Sequence, residues 1–126
     1  MGKNRADGGG RRSDCPIACV LDIVGDKWTL LVIRDLALGR RHFEEFLHSP
    51  ERIATNILSA RLRQLEEAGY LTKETDPDDR RKSVYQLTDQ GQQLLGLLRY
   101  IARWGLKHIP DTRLMEEAKQ VARRKK

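Results

Sequence analysis

The sequence predicts a mainly α-helical fold carrying one small β-hairpin, on three observations. Successive helical segments between Cys15 and Ile109 each end in their own stop signal. Leu58, Leu62 and Leu65 recur at i, i+4 and i+7, the spacing of one helix face. Two short stretches, "YLTKET" and "SVYQLT", flank a Pro-Asp-Asp turn, with Tyr85 and Leu87 alternating inward. At 126 residues the chain fits a single domain with one core.

Taken in order, residues 1–12 contain "GGG" and no apolar periodicity, which predicts a disordered arm. "CPIACVLDIVG" predicts a short helix with Cys15 as N-cap, Pro16 at the first helical position and Gly25 as its stop. "DKWTLLVIRDLALG" predicts a second helix, capped by Asp26, ended by Gly39 and buried on most sides. A short amphipathic helix follows in "RRHFEEFLHS", with Phe43, Phe46 and Leu47 inward, then the connection "PERI". "ATNILSARLRQLEEAG" predicts a fourth helix ending at Gly69, and the hairpin comes next. Thr88 then caps one long helix, "DQGQQLLGLLRYIARWGLKHI", which Pro110 ends. Residues 13–110 thus form the domain, and residues 111–126 an amphipathic, basic C-terminal extension.

The net charge of +6 is concentrated at the two ends. Residues 1–12 contribute +3 and residues 119–126 contribute +5, leaving about −2 between them. A nucleic-acid reading must therefore rest on where the inner arginines lie, not on bulk charge. No apolar run resembles a signal peptide or a membrane span, and two cysteines four apart are no disulfide framework. A cytoplasmic protein without membrane attachment is expected.

Helix, helix, short helix, turn, helix, hairpin, long helix is the order of a winged helix-turn-helix with N- and C-terminal dimerisation helices. On the fourth helix, about 100° per residue sets Asn56, Ser59, Ala60 and Arg63 opposite the leucines. Asn can read adenine, Arg can read guanine, and a small residue admits a thymine methyl. Thr55 stands at the helix start, where the dipole favours a phosphate. Arg40, Arg41, Arg52, Arg80, Arg81 and Lys82 lie in segments that border double-stranded DNA in this architecture. Asp78 and Asp79 cut against the wing tip, with turn formation and pairing to Arg80 and Arg81 as their other role. Arg61, on the flank of the apolar stripe, suits an internal ion pair as well as a phosphate.

The long helix carries two apolar stripes, Leu94, Leu97, Leu98, Ile101, Trp104 and Ile109 on one, and Leu95, Ala102 and Leu106 on the other. One can pack on the domain; the second calls for a second copy, or else both close into a single deep core with Trp104 inside it. Ile17 and Val20 with Leu98, Ile101 and Trp104 are the expected dimer interface, and paired recognition helices would stand roughly 34 Å apart.

"CPIACVLDIVGDKWTLLVIRDLALGRRHFEEF", "IATNILSARLRQLEEAGYL" and "VYQLTDQG" together resemble the HxlR-type family of bacterial winged-helix transcription regulators. The resemblance runs from about Asp14 to Ile109. It implies a homodimer on an inverted-repeat operator, some members sensing electrophiles or oxidants through the cysteine of the Cys-Pro pair. The wing departs from the pattern: "DPDDRRKS" is more similar to the Asp-Arg-Arg wing of MarR-type regulators.

Cys15 is the one candidate for chemistry, since a thiol at a helix N-terminus feels the dipole and the free amides. Sensing and simple capping both fit it. A regular helix holds Cys15 and Cys19 apart by more than the roughly 3.5–4.5 Å between β-carbons that a disulfide needs. An intersubunit bridge or an adduct with a small electrophile or oxidant is geometrically easier. His42, His48 and His108 show no metal-ligand spacing, and no nucleophile–base pair, phosphate loop or carboxylate pair suggests an enzyme, so no metal or cofactor is expected. The expected role is a DNA-binding regulator, acting as a repressor. A MarR-like regulator answering to a small ligand, a winged-helix protein-interaction module and a thiol redox enzyme are the rivals. The last lacks Cys-x-x-Cys, and an interaction module should place apolar residues where Asn56, Ser59 and Arg63 stand.

Overall fold

A computed structural model describes residues 11–119; the rest of the expected N-terminal arm and the tail from residue 120 lie outside the described residues. The order is α1 (Pro16–Val24), α2 (Thr29–Ala37), α3 (Phe43–Leu47), α4 (Thr55–Glu67), β1 (Leu71–Thr75), β2 (Ser83–Leu87), α5 (Asp89–Gln92) and α6 (Leu95–His108). This is a winged helix-turn-helix. At the arm's end, Arg11 and Arg12 pair with Asp14 and Asp22.

Local signals set the helix ends. Cys15 is the extended N-cap of α1 and Pro16 its first residue, where a missing N–H costs nothing. Asp26 does the capping of α2 from three residues upstream: its carboxylate accepts the N–H groups of Trp28 (3.0 Å) and Thr29 (3.1 Å). Gly39 and Gly69 leave α2 and α4 through left-handed conformations, φ 101° and 86°, that side chains disfavour. Gly25 differs: it stays right-handed at φ −80°, closing α1 through its N–H to the Leu21 carbonyl.

The core gathers Val32, Ile33 and Leu36 of α2, Phe46 of α3, Leu58, Leu62 and Leu65 of α4, and Leu71 and Tyr85 of the hairpin. Tyr85 meets Phe46 edge-on, ring centroids 6.2 Å apart. The strands pair antiparallel with Leu71 opposite Leu87 and Lys73 opposite Tyr85. Beneath this, Asp35 is buried yet satisfied by Ser49, Arg34 and Arg40, and Arg34 forks onto Glu51 at 2.8 and 2.9 Å. These bonds pin α2 to the turn that precedes α4.

The expected single long helix is in fact two. Thr88 caps α5, accepting the Gly91 N–H at 3.1 Å, and the chain then breaks at Gln93–Leu94. There Gln93 and Leu94 donate to Gln90 and Gly91, three residues back instead of four. Gly91 is buried against the turn that follows α4, where a β-carbon would stand 2.0 Å from the Tyr70 carbonyl oxygen. That contact anchors α5, while Leu94, Leu95 and Leu98 pack on the core beyond the break.

The two expected stripes on α6 are redistributed accordingly. Leu95 and Leu98 turn to the core, so Leu98 is not on the outward strip where the interface was expected. Tyr100, Ile101, Trp104, Leu106 and Ile109 stand exposed. Among the described residues, no helix is long and apolar enough to cross a membrane.

Candidate nucleic-acid interface

Helix α4 divides cleanly. Leu58, Leu62 and Leu65 are buried, while Thr55, Asn56, Ser59 and Arg63 are exposed and Ala60 is half-buried. The first turn begins at Ala54, whose side chain offers no cap, so its amide hydrogens remain available to an anion. Arg63 has no ion-pair partner among the described residues.

The surrounding cations fall into two groups. Arg41, Arg52 and Arg80 are exposed and unpaired among the described residues. Arg52 projects from a left-handed backbone, φ 57°, in the turn that leads into α4. Arg40 is different: its guanidinium is largely covered, 3.5 Å from Asp35 and 3.5 Å from Glu117. Its place is in the internal network rather than with the free cations. Arg61 likewise turns inward, its Nε donating to Asp26 at 2.8 Å.

The wing tip is tied to itself. Asp76 accepts the Asp78 N–H at 2.8 Å, and the Asp79 carbonyl accepts the Lys82 N–H at 2.9 Å. Arg81 forks onto the Asp79 carboxylate at 3.0 and 3.1 Å, and Lys82 reaches Glu44 of α3 at 3.2 Å. Arg81 holds the Asp79 carboxyl below the ordinary range, chiefly by the side-chain bond. Of the three tip cations, Arg80 is the uncommitted one.

Two ties that sequence reasoning missed brace the wing against α3. His42 stands 2.8 Å from Asp76, and Tyr85 donates its N–H to the Arg41 carbonyl at 2.8 Å. The Asp78 N–H, then the His42 ring, keep the Asp76 carboxyl below its usual value. His42 and Asp76 are 34 residues apart, and no periodicity links them.

At the other end, Cys15 is a free, exposed thiol at the start of α1. Cys19 is partly buried, its sulfur 3.4 Å from the Ser13 carbonyl oxygen. Ile17 is 70% exposed and Trp104 52%, with Val20 and Ile101 also open to solvent. Pro16, Ile17, Val20, Leu30, Leu97 and Ile101 line an apolar groove of about 390 Å³ between α1 and the body. Among the described residues no three His, Cys, Asp or Glu side chains gather as a metal site would need.

The family model described as an HxlR-like helix-turn-helix matches residues 23–113. The uncharacterized HTH-type transcriptional regulator YdeP of Bacillus subtilis (strain 168) is 30% identical over 84% of this chain and 83% of its own length. The uncharacterized HTH-type transcriptional regulator sll1512 of Synechocystis sp. (strain ATCC 27184 / PCC 6803 / Kazusa) is 34% identical over 67% of this chain and 62% of its own length. Among solved structures, PA1607, a candidate transcription factor, superposes with a TM-score of 0.74 at 38% identity, covering 82% of this chain and 73% of its own. The reduced form of the redox regulator HypR gives a TM-score of 0.68 at 27% identity, covering 76% and 95%.

Proposed function

From a chain that belongs to the HxlR-like helix-turn-helix family of transcriptional regulators, we propose a homodimer that reads an inverted-repeat operator and acts as a repressor. One observation carries this reading: the exposed face of α4 is a polar strip of Asn56, Ser59 and Arg63, while the opposite face is entirely core. Asn56 and Arg63 offer the side-chain chemistry that discriminates adenine and guanine in the major groove. Thr55 and the open first turn of α4 receive a phosphate, and Arg41, Arg52 and Arg80 hold the backbone on either side. Arg81 and Lys82 contribute less, each sharing its charge with a carboxylate. A protein-interaction module would show apolar side chains where this strip stands.

The dimer would form through the open apolar faces of α1 and α6, with Ile17, Val20, Ile101 and Trp104 at its centre. A second reading concerns Cys15. It is exposed, begins the helix that contributes to this interface, and has HypR, a redox regulator, among its structural neighbours. We infer that oxidation or alkylation of Cys15 changes operator affinity by shifting α1 against the partner subunit.

Selection of bound sequences from a random duplex pool, with and without diamide, tests both readings. A twofold-symmetric consensus is expected, with weaker enrichment after oxidation that Cys15→Ser abolishes. An asymmetric consensus, or none, would overturn the operator reading. Identical enrichment with oxidant would leave Cys15 as the residue at the N-cap position of α1, without a sensing role.

A further inference from the structure

We propose that Asp26 and Arg61 form a positioning latch that ties the reading helix to the α1–α2 corner and so sets the half-site spacing the protein accepts; this rests on the dimeric operator reading above. The latch is built at one carboxylate. Asp26 Oδ2 accepts the N–H groups of Trp28 and Thr29 and also Arg61 Nε, at 3.0, 3.1 and 2.8 Å. Oδ1 accepts the Thr29 hydroxyl at 2.5 Å. Asp26 directly follows Gly25, the C-cap of α1. The start of α2 and the middle of α4 therefore meet within one hydrogen-bond network, one residue past the C-cap of α1.

Arg61 is poorly placed to read DNA. It lies two residues from both Ser59 and Arg63, about 200° around the helix axis from each. Its guanidinium is three-quarters covered and lies along the flank of α4 between core and surface. Burial alone would raise the Asp26 carboxyl, yet the bonds from Thr29, Arg61 and Trp28 outweigh it and hold the group below its ordinary value. The carboxylate is thus the form the network is built around.

The other inward contacts of α4 are apolar: Leu58, Leu62 and Leu65 are buried, and Ile57 packs partly buried against the same core. Apolar packing is non-directional and by itself tolerates small rotations. A hydrogen-bonded ion pair is directional, so it fixes how far α4 turns relative to the start of α2, against which α1 packs. Because α1 carries the open apolar face assigned to the dimer, the latch converts dimer geometry into the separation and twist of two reading helices.

The test uses the full chain and an operator selected for the parent, in a series with the spacer shortened or lengthened by one base pair, about a tenth of a DNA turn. Arg61→Gln removes the pair, and Asp26→Asn removes the charge while keeping an oxygen that can cap α2. Each should lower the preference for the optimal spacing roughly two- to fivefold, the scale of a partly exposed ion pair. The double variant should lose no more than either single one, since both break the same contact. Arg61→Lys, which keeps the charge pair, should retain most of the parent's preference.

Unchanged spacing preference in both single variants would overturn the latch. So would a loss at every spacing for Arg61→Gln, with a shallower salt dependence, paired with a gain for Asp26→Asn. That pattern would make Arg61 a phosphate contact that Asp26 restrains. A parent protein indifferent to spacing would defeat the two-half-site reading itself, and the latch with it.

Discussion

The half of the molecule built from α2, α3, α4 and the hairpin differs sharply from the half built from α1 and α6. In the first, every apolar stripe meets another, and its buried polar groups, Thr29, Asp35, Ser49 and Asp76, each hold a named partner. In the second, α1 buries only Val24, and α6 has no fully buried residue at all. Ile17, Leu21, Tyr100 and Trp104 are each more than half exposed. The difference separates two uses of hydrophobic surface. One half consumes it to hold a single chain in shape, and the other leaves it open to solvent, as a surface for association would.

The largest effect should come from breaking the first half. Leu62→Ala, at a core position only 2% exposed, should cost about 2–5 kcal/mol in a denaturant titration, whereas Trp104→Ala should leave the monomer's stability almost unchanged. Equal losses would erase the contrast. Ile101→Asp should act on the second half alone, weakening self-association by about 2–4 kcal/mol in sedimentation while the helical signal persists.

On the side proposed to face DNA, Arg63→Ala should remove about 1–3 kcal/mol of discrimination between the best sequence and its single-base variants. Arg80→Ala should weaken all sequences alike and lower the salt slope by roughly one unit. Arg81→Ala should do less, because that side chain already shares its charge with Asp79. A reversed order for Arg80 and Arg81 would show that the Asp79 pair opens on DNA.

The smallest effect is on acid stability. Bonds from Arg34 hold the Glu51 carboxyl below its usual range, and the Arg41 and His42 N–H groups do the same for Glu45. A carboxyl depressed by folding stabilises the protein fully above its unfolded value and loses that contribution as pH falls through its folded value. Melting temperature should therefore be flat down to about pH 5 and fall below about pH 4. Glu51→Gln should lower stability near neutral pH by less than about 1 kcal/mol and soften the acid limb.

Much of the fold was legible because its signals are local. Pro16, Asp26, Gly39, Gly69 and Thr88 mark element ends within a few residues of where they act, and the leucines of α4 declare their face by spacing alone. The break at Gln93–Leu94 was not legible, because it lies between two tertiary contacts, Gly91 on Tyr70 and Leu95 and Leu98 on the core, that no helical pattern records. In the candidate site, the strip on α4 was readable from periodicity. The division of cations was readable only in part: pairing within the tip was expected, as Arg81 with Asp79 bears out, but Arg40 with Glu117 and Lys82 with Glu44 depend on neighbours distant in sequence. Exposure of Leu98 against Trp104 was equally hidden, since both fit a helical stripe and the core claims only one.

The junction at Thr88 has a consequence for the order in which the chain assembles. Its hydroxyl donates to the Gly69 carbonyl at 2.7 Å, across 19 residues, and Gly91 closes on the neighbouring Tyr70. Short loops cost little entropy to close, and contacts near in sequence form early. Helix α6, by contrast, docks on α2 from far along the chain. The hairpin and the turn that follows α4 should therefore be joined while α6 is still searching for its seat, so that the Thr88 junction is in place before the C-terminal helix docks.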